Sequence, residues 1–296
     1  MSAAYRLKSN RAVVLGIGGL LGHDANAALI VEGELIGSAQ EERDSRIKHD
    51  GAFPVLGIRR CVDRAAVPPE EVTNVVFPEK ALQTHLFGLT GRPGNAFTRA
   101  LGHLLPETWG SLYVQQGRIL FPSARFHHAW HHLSHVAGAF HTSPFERAAF
   151  LCVDGKGEDY SASAGVIDHG EVKLLWEQPW ENGLGMFYTL ITYCLGFLSF
   201  GSEYKVMGLA PYGTPRFVPE LSRLFTTDER GAFRLHREVR FTWSSLMAAL
   251  PWIAETLQRP LRSKSDPLER VHLDLAASLQ QIIEDEVFKM ARFLRD

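Results

Sequence analysis

Apolar and polar positions over residues 13–41, VVLGIGGLLGHDANAALIVEGELIGSAQE, form three short runs separated by glycine. That pattern predicts a strand, a glycine turn, a second strand, a tight turn at Glu32–Gly33 and a third strand. Helical spacing follows at about 54–66, and PPEEVTNVVF supplies a fourth strand at about 72–77. Residues 80–117, rich in glycine and proline near GRPG, read as an insertion. HHAWHHLSHVAGAF, residues 127–140, reads as four helical turns with Leu133, Val136, Ala137 and Phe140 on the buried stripe.

Residues 149–177, AFLCVDGKGEDYSASAGVIDHGEVKLLWE, repeat the length and plan of 13–41, with Gly155 opposite Gly19. We read this as an internal duplication of a glycine hairpin, the alternative being two ordinary β-hairpins. Next, GLGMFYTLITYCLGF (183–197) is an apolar helix, and GSEYKVMGLAPYGTP (201–215) reads as a loop. Residues 216–265 are mixed, with Trp243 and Trp252 assigned to the packing of a helical subdomain. A long final helix, 266–296, carries an apolar stripe of Val271, Leu275, Leu279, Ile282, Val287, Met290 and Leu294.

A meander of three strands, a helix and a further strand is the order of a ribonuclease H-like half. The expected organisation is therefore α/β with a first half at 1–145, interrupted at about 80–117. A second half at 146–296 has a helical insertion at about 216–265. No strand follows to complete the second sheet and nothing downstream covers the last apolar stripe, so this half is read as incomplete.

Composition changes this picture little. Among 296 residues, 45% are hydrophobic and 22% charged, which suits a soluble globular chain. A formal charge of -2 gives no electrostatic footprint for nucleic acid. Cys61, Cys152 and Cys194 lack CxxC spacing and read as buried thiols in a reducing compartment, the cytoplasm. Glycines break the apolar run after MSAAYRLKSNR, and His23 and Asp24 follow it, which favours a first strand over a signal peptide. No run reaches the roughly 18 apolar residues of a membrane span, so no membrane partner is expected.

The candidate chemistry begins with histidine. His131 and His135 stand one helical turn apart on the face opposite the predicted apolar stripe, the spacing of a divalent-metal clamp. The pairs 127/131 and 128/132 share that spacing, and exposed histidines that bind nothing remain the alternative. Two glycine turns facing each other could cradle phosphate through backbone N–H groups.

Five stretches carry a resemblance: GHDANAAL (22–29), EERDSRIKHDGAFP (41–54), HHLSHVAGAFHTSPFE (131–146), VDGKGE (153–158) and GSEYKVMGLAPYG (201–213). Together, in this order over about 13–296, they resemble the O-carbamoyltransferases of the NodU/CmcH type, which modify antibiotics and nodulation factors. The resemblance implies an ASKHA-type (ribonuclease H-like, actin- and sugar-kinase-like) fold of duplicated βββαβ halves. In complete members a YrdC-like domain follows, absent from this sequence, which makes carbamoyladenylate from carbamoyl phosphate and ATP. The ASKHA domain then moves the carbamoyl group to a hydroxyl of a small-molecule acceptor.

The resemblance also implies a divalent metal, usually Fe(II), held by two helix histidines and two aspartates. Carried over by motif, these are His131, His135 and Asp154, with the fourth ligand in a later motif that the chain does not reach. A turn-forming aspartate before glycine is the plain alternative for Asp154. His23 is the candidate general base or phosphate contact, and Lys48 the candidate charge that neutralises the adenylate; solvated loop residues are the alternative for both. Gly19, Gly155, Gly157 and Lys205 are the nucleotide- or phosphate-binding candidates. Glu203 and Lys205 either pair with each other or contact nucleotide, and Tyr204, Met207 and Tyr212 read as packing residues.

The expected partners are the acceptor and the missing C-terminal portion or a chain that carries it, with a homodimer left open. The competing reading is a non-catalytic fragment, or one subunit of a split carbamoyltransferase that binds its other half through the 266–296 helix.

Overall fold

The computed structural model describes residues 11–19, 23–78, 112–157, 159–180, 183–199, 201–239 and 242–296. Most of the expected 80–117 insertion therefore lies outside the described residues. The chain divides into two compact units, 1–134 and 135–296.

The first unit is built on a five-stranded mixed sheet of order β3-β2-β1-β4-β5. Its strands are β1 (Val13–Gly18), β2 (Asn26–Val31), β3 (Glu34–Gln40), β4 (Asn74–Phe77) and β5 (Arg125–His128). The first three form the antiparallel meander expected, and β4 and β5 add in parallel beside β1. Glu32 and Gly33 both have positive φ (52° and 86°), the backbone of a two-residue hairpin turn whose twist matches its strands. Val13, Leu15 and Ile17 are fully buried on alternate positions of β1. Helix α1 (Glu41–Ser45) is short, and α2 (Val55–Ala65) buries Ile58, Cys61 and Val62 in the same core. Each such side chain contributes about 1.5–3 kcal/mol. Helix α3 (Leu112–Leu120) adds Val114.

The histidine stretch departs from expectation. His127 and His128 lie on β5, paired with Val76 and Phe77, and helix α4 (His131–His141) starts only at His131. The buried His128 ring stacks on Phe77, with centroids 5.2 Å apart. A vacant ladder position beside β4 outweighs helix propagation through these residues. On α4 itself the buried positions are His132 and Val136, while Leu133, Ala137 and Phe140 are only half-buried.

The second unit opens with another antiparallel meander, β6 (Arg147–Val153), β7 (Tyr160–Asp168) and β8 (Glu171–Pro179). β7, in the centre, is buried from Ser161 to Gly165, and SASAG explains how. A Cβ on Gly165 would overlap Lys173 O and lie 2.7 Å from the Phe150 ring, so glycine alone fits there. Helix α5 (Leu184–Cys194) is buried at nine of eleven positions, as its largely apolar sequence, free of charged residues, demands. The remaining elements are α6 (Glu203–Leu209), α7 (Val218–Leu221), β9 (Phe225–Thr227), β10 (Phe233–Leu235), α8 (Trp243–Leu257) and α9 (Arg270–Arg295). Gln178 of β8 donates to Phe233 O (2.7 Å) and accepts from Phe233 N–H (2.9 Å), so its amide imitates a strand neighbour for β10.

Three expectations are corrected here. GSEYKVMGLAPYG is not a loop: Glu203–Leu209 is helical and Ala210–Tyr212 forms a 3-10 turn, with Glu203 favourably placed in the first turn. Tyr204, Met207 and Tyr212 are exposed (45, 59 and 69%), so they are not core packing residues, whereas Trp243, though 57% exposed, sets its ring 6.0 Å from that of buried Tyr193. The α9 stripe is covered by this chain itself: Leu275, Leu279, Ile282 and Met290 are buried, with α5, α6, α7 and β6 against the helix. The large apolar side chains that α9 still exposes are Phe288 and Phe293.

Candidate metal centre and the Asp24 cluster

The i, i+4 spacing on α4 stacks His131 above His135, and the continuous helix holds this pair. Asp154 follows the last residue of β6, where the chain turns back toward β7. Its N–H donates to Ser161 O (2.7 Å), and Gly157 N–H donates to Tyr160 O (2.7 Å), closing the turn. Gly155 N–H donates to Asp154 Oδ1 (2.6 Å), which fixes the carboxylate. The start of α5 presses on this turn: a Cβ on Gly185 would lie 2.5 Å from Gly155 Cα and 2.6 Å from Asp154 O.

His135 Nε2 lies 3.6 Å from Asp154 Oδ2, and His131, His135 and Asp154 each offer a ligand atom within 4.8 Å of the others. Two imidazole nitrogens and one carboxylate oxygen fit a divalent transition ion and leave coordination positions open. The rival pairs do not converge in this way. His127 Nε2 pairs with Asn74 Oδ1 (2.9 Å) from a strand, and His128 and His132 are buried. A cavity of about 550 Å³ adjoins the group, lined by His135 and Asp154 and by Val136, Phe140, Phe150 and Cys152. Burial, and then the Asp154 charge, push the Cys152 thiol up to about 11.

His23 is half-buried and Lys48 exposed, in the first unit. Their sequence neighbours Asp24 and His49 form the contacts that sequence reasoning missed. Asp24 Oδ2 pairs with His23 Nδ1 at 2.8 Å, and Asp24 Oδ1 with His49 Nδ1 at 2.9 Å. Burial works to raise the Asp24 carboxyl, but hydrogen bonds from both histidines and their charge outweigh it and hold it below the usual range. Asp24 and His49 stood inside the motifs GHDANAAL and EERDSRIKHDGAFP. Only the fold brings them together.

The glycine candidates divide. Gly19 has φ +107°, and a Cβ there would meet the Tyr113 hydroxyl at 2.6 Å, so it permits a close approach. The Gly155 and Gly157 N–H groups are both engaged inside their own turn. Lys205 Nζ lies 5.5 Å from the Phe197 ring centroid and 5.8 Å from that of Tyr204. Glu203 accepts the Thr189 hydroxyl at 2.7 Å, tying α6 to α5.

The fold and the site define an α/β protein with a histidine–aspartate group suited to a divalent metal. Residues 101–296 match the family model described as Carbamoyltransferase N-terminus, and the chain belongs to that family. It is 34% identical over 293 residues to an uncharacterized protein of Synechocystis sp., a match covering 94% of this chain and 47% of that protein. It is 33% identical over 285 residues to the nodulation protein NolNO of Sinorhizobium fredii, covering 91% of this chain and 38% of that protein. The chain thus spans less than half the length of these relatives. Among solved structures, T. kodakarensis HypF superposes with a TM-score of 0.35 at 12% identity, over 91% of this chain and 30% of that one. No helix among the described residues is long and apolar enough to cross a membrane.

Proposed function

We propose that this chain is the acceptor-side domain of an O-carbamoyltransferase with an ASKHA-type duplicated fold. It would move a carbamoyl group from carbamoyladenylate to a hydroxyl of a small-molecule acceptor. Membership of the carbamoyltransferase N-terminal family supports the reaction class, and the convergence of His131, His135 and Asp154 is the observation that carries the site. A divalent ion, Fe(II) in our reading, bound by these three residues would polarise the carbamoyl carbonyl and offset phosphate charge.

The chain's own residues supply the rest. The acceptor oxygen attacks the carbamoyl carbon, the bond from that carbon to the phosphate oxygen breaks, and AMP leaves. His23 Nε2 takes the hydroxyl proton, while Asp24 on Nδ1 fixes the tautomer and steadies the imidazolium. Lys48 offsets the negative charge of the adenylate. Carbamoyladenylate itself would be made from ATP and carbamoyl phosphate by a YrdC-like domain, in the part of the enzyme that the relatives carry beyond the matched span.

The test uses the full-length enzyme with His131→Ala or His135→Ala. Transfer to the acceptor should be lost while formation of carbamoyladenylate from ATP and carbamoyl phosphate continues. Undiminished transfer would overturn the proposal.

A further inference from the structure

The Asp24 cluster holds more donors than a general base needs. Three segments meet there: the turn before β2 (His23–Ala25), the start of α1 (Glu41, Glu42) and the chain reversal after α1 (His49, Asp50). Backbone hydrogen bonds join them before any ligand arrives. Ala25 N–H donates to Asp50 O (2.7 Å), Glu41 N–H to Ala25 O (2.8 Å), and His49 N–H to Glu42 Oε2 (3.0 Å). Buried Glu41 anchors the base of the assembly by accepting the N–H groups of Leu56 (3.2 Å) and Gly57 (2.8 Å).

Asp24, Glu42 and His49 each bring one ligand atom within 4.8 Å of the other two. An imidazole–carboxylate pair would need one of these carboxylates. The second, Glu42, accepts the His49 N–H and stands 3.8 Å from Arg43 Nη2, and a divalent cation shared with Asp24 would offset the repulsion left between the two carboxylates. The spacing fits such a cation. Two donors about 2.1 Å from one ion and at right angles stand about 3.0 Å apart, so a cation that replaces the proton between His49 Nδ1 and Asp24 Oδ1, now 2.9 Å apart, needs little movement of either.

We propose that Asp24, Glu42 and His49 form a second divalent-metal site, separate from His131, His135 and Asp154, with His23 bonded to the remaining Asp24 oxygen as the group that orients it. One imidazole with two carboxylates favours a first-row transition ion over calcium. All three ligands are half-buried, which leaves the rest of the coordination sphere to water or to a ligand oxygen. This site stands on its own geometry and does not depend on the transfer reaction.

The test is a titration of the chelator-stripped full chain with cobalt(II), followed by calorimetry and visible absorption. Two equivalents are expected. Asp24→Asn combined with Glu42→Gln should remove one and His135→Ala the other, while His23→Ala should weaken the first about tenfold. His49→Asn is the second variant, should the double variant unfold. Asparagine tolerates the positive φ at positions 24 and 49 (53° and 57°), so backbone strain does not confuse the result. A cobalt stoichiometry unmoved by changes at 24, 42 and 49 would overturn the site. Loss of the His135-dependent equivalent alone from the wild-type result would sink the transferase metal centre and leave this site standing.

Discussion

His272 Nδ1 accepts the backbone N–H of Glu269 at 2.9 Å, and the Glu269 side chain caps the helix in return, so the first turn of α9 is closed by a reciprocal pair. The acceptor must be neutral imidazole. Burial, and then the Arg262 charge, hold the His272 pKa below the ordinary histidine value of about 6.5. As pH falls through 6.5 the unfolded chain takes up the proton first, so the native state loses stability from about pH 7 downward until His272 itself is protonated. Urea midpoints at pH 7.5 and 5.5 should differ more in the wild type than in His272→Gln; equal differences would remove His272 as the cause.

Asp274 is buried on α9 and accepts Thr214 N–H at 2.8 Å, with the Arg270 guanidinium at 3.0 Å. Asp274→Ala strands that N–H and unpairs the arginine, at a cost of about 2–4 kcal/mol. Asp274→Asn keeps an acceptor and should lose about half as much in chemical denaturation.

Gly185→Ala tests the metal centre without touching a ligand. The added methyl must push the Gly155 turn, and Asp154 moves with it. Divalent-ion affinity at that centre should fall at least tenfold, about 1.4 kcal/mol, with circular dichroism unchanged. Gly208→Ala on α6, where a Cβ meets nothing within 4 Å, should leave binding as it was.

All three cysteines are free and buried. With Cys152 pushed up to about 11 and burial raising Cys61 and Cys194 as well, none is a thiolate at pH 8. Disulfide reagents should therefore react slowly with the native chain and promptly with three thiols in urea. A fast native phase would show an accessible cysteine.

The strands of both meanders were legible because their signals are local: alternation within each run and glycine between runs. Helices α2 and α5 were legible for the same reason. What escaped depends on partners distant in sequence. RFHH becomes β5 only because β4 offers a vacant edge. GSEYKVMGL looks like a loop from Gly201 and Gly208, yet it folds as a helix that Glu203 ties to Thr189. His131, His135 and Asp154 were nameable from motifs. The link from Asp24 to His49 spans 25 residues and appears only when the chain folds.

The covered stripe of α9 carries a kinetic consequence. A 26-residue helix spans about 39 Å, and its inward side chains are distributed among α5, α6, α7 and β6. Releasing it would expose all those contacts at once, so its middle amides should open only with the unit as a whole. In deuterium exchange, residues 275–290 should rank with the slowest of the chain, while Phe288 and Phe293 wait at the surface for whatever meets them.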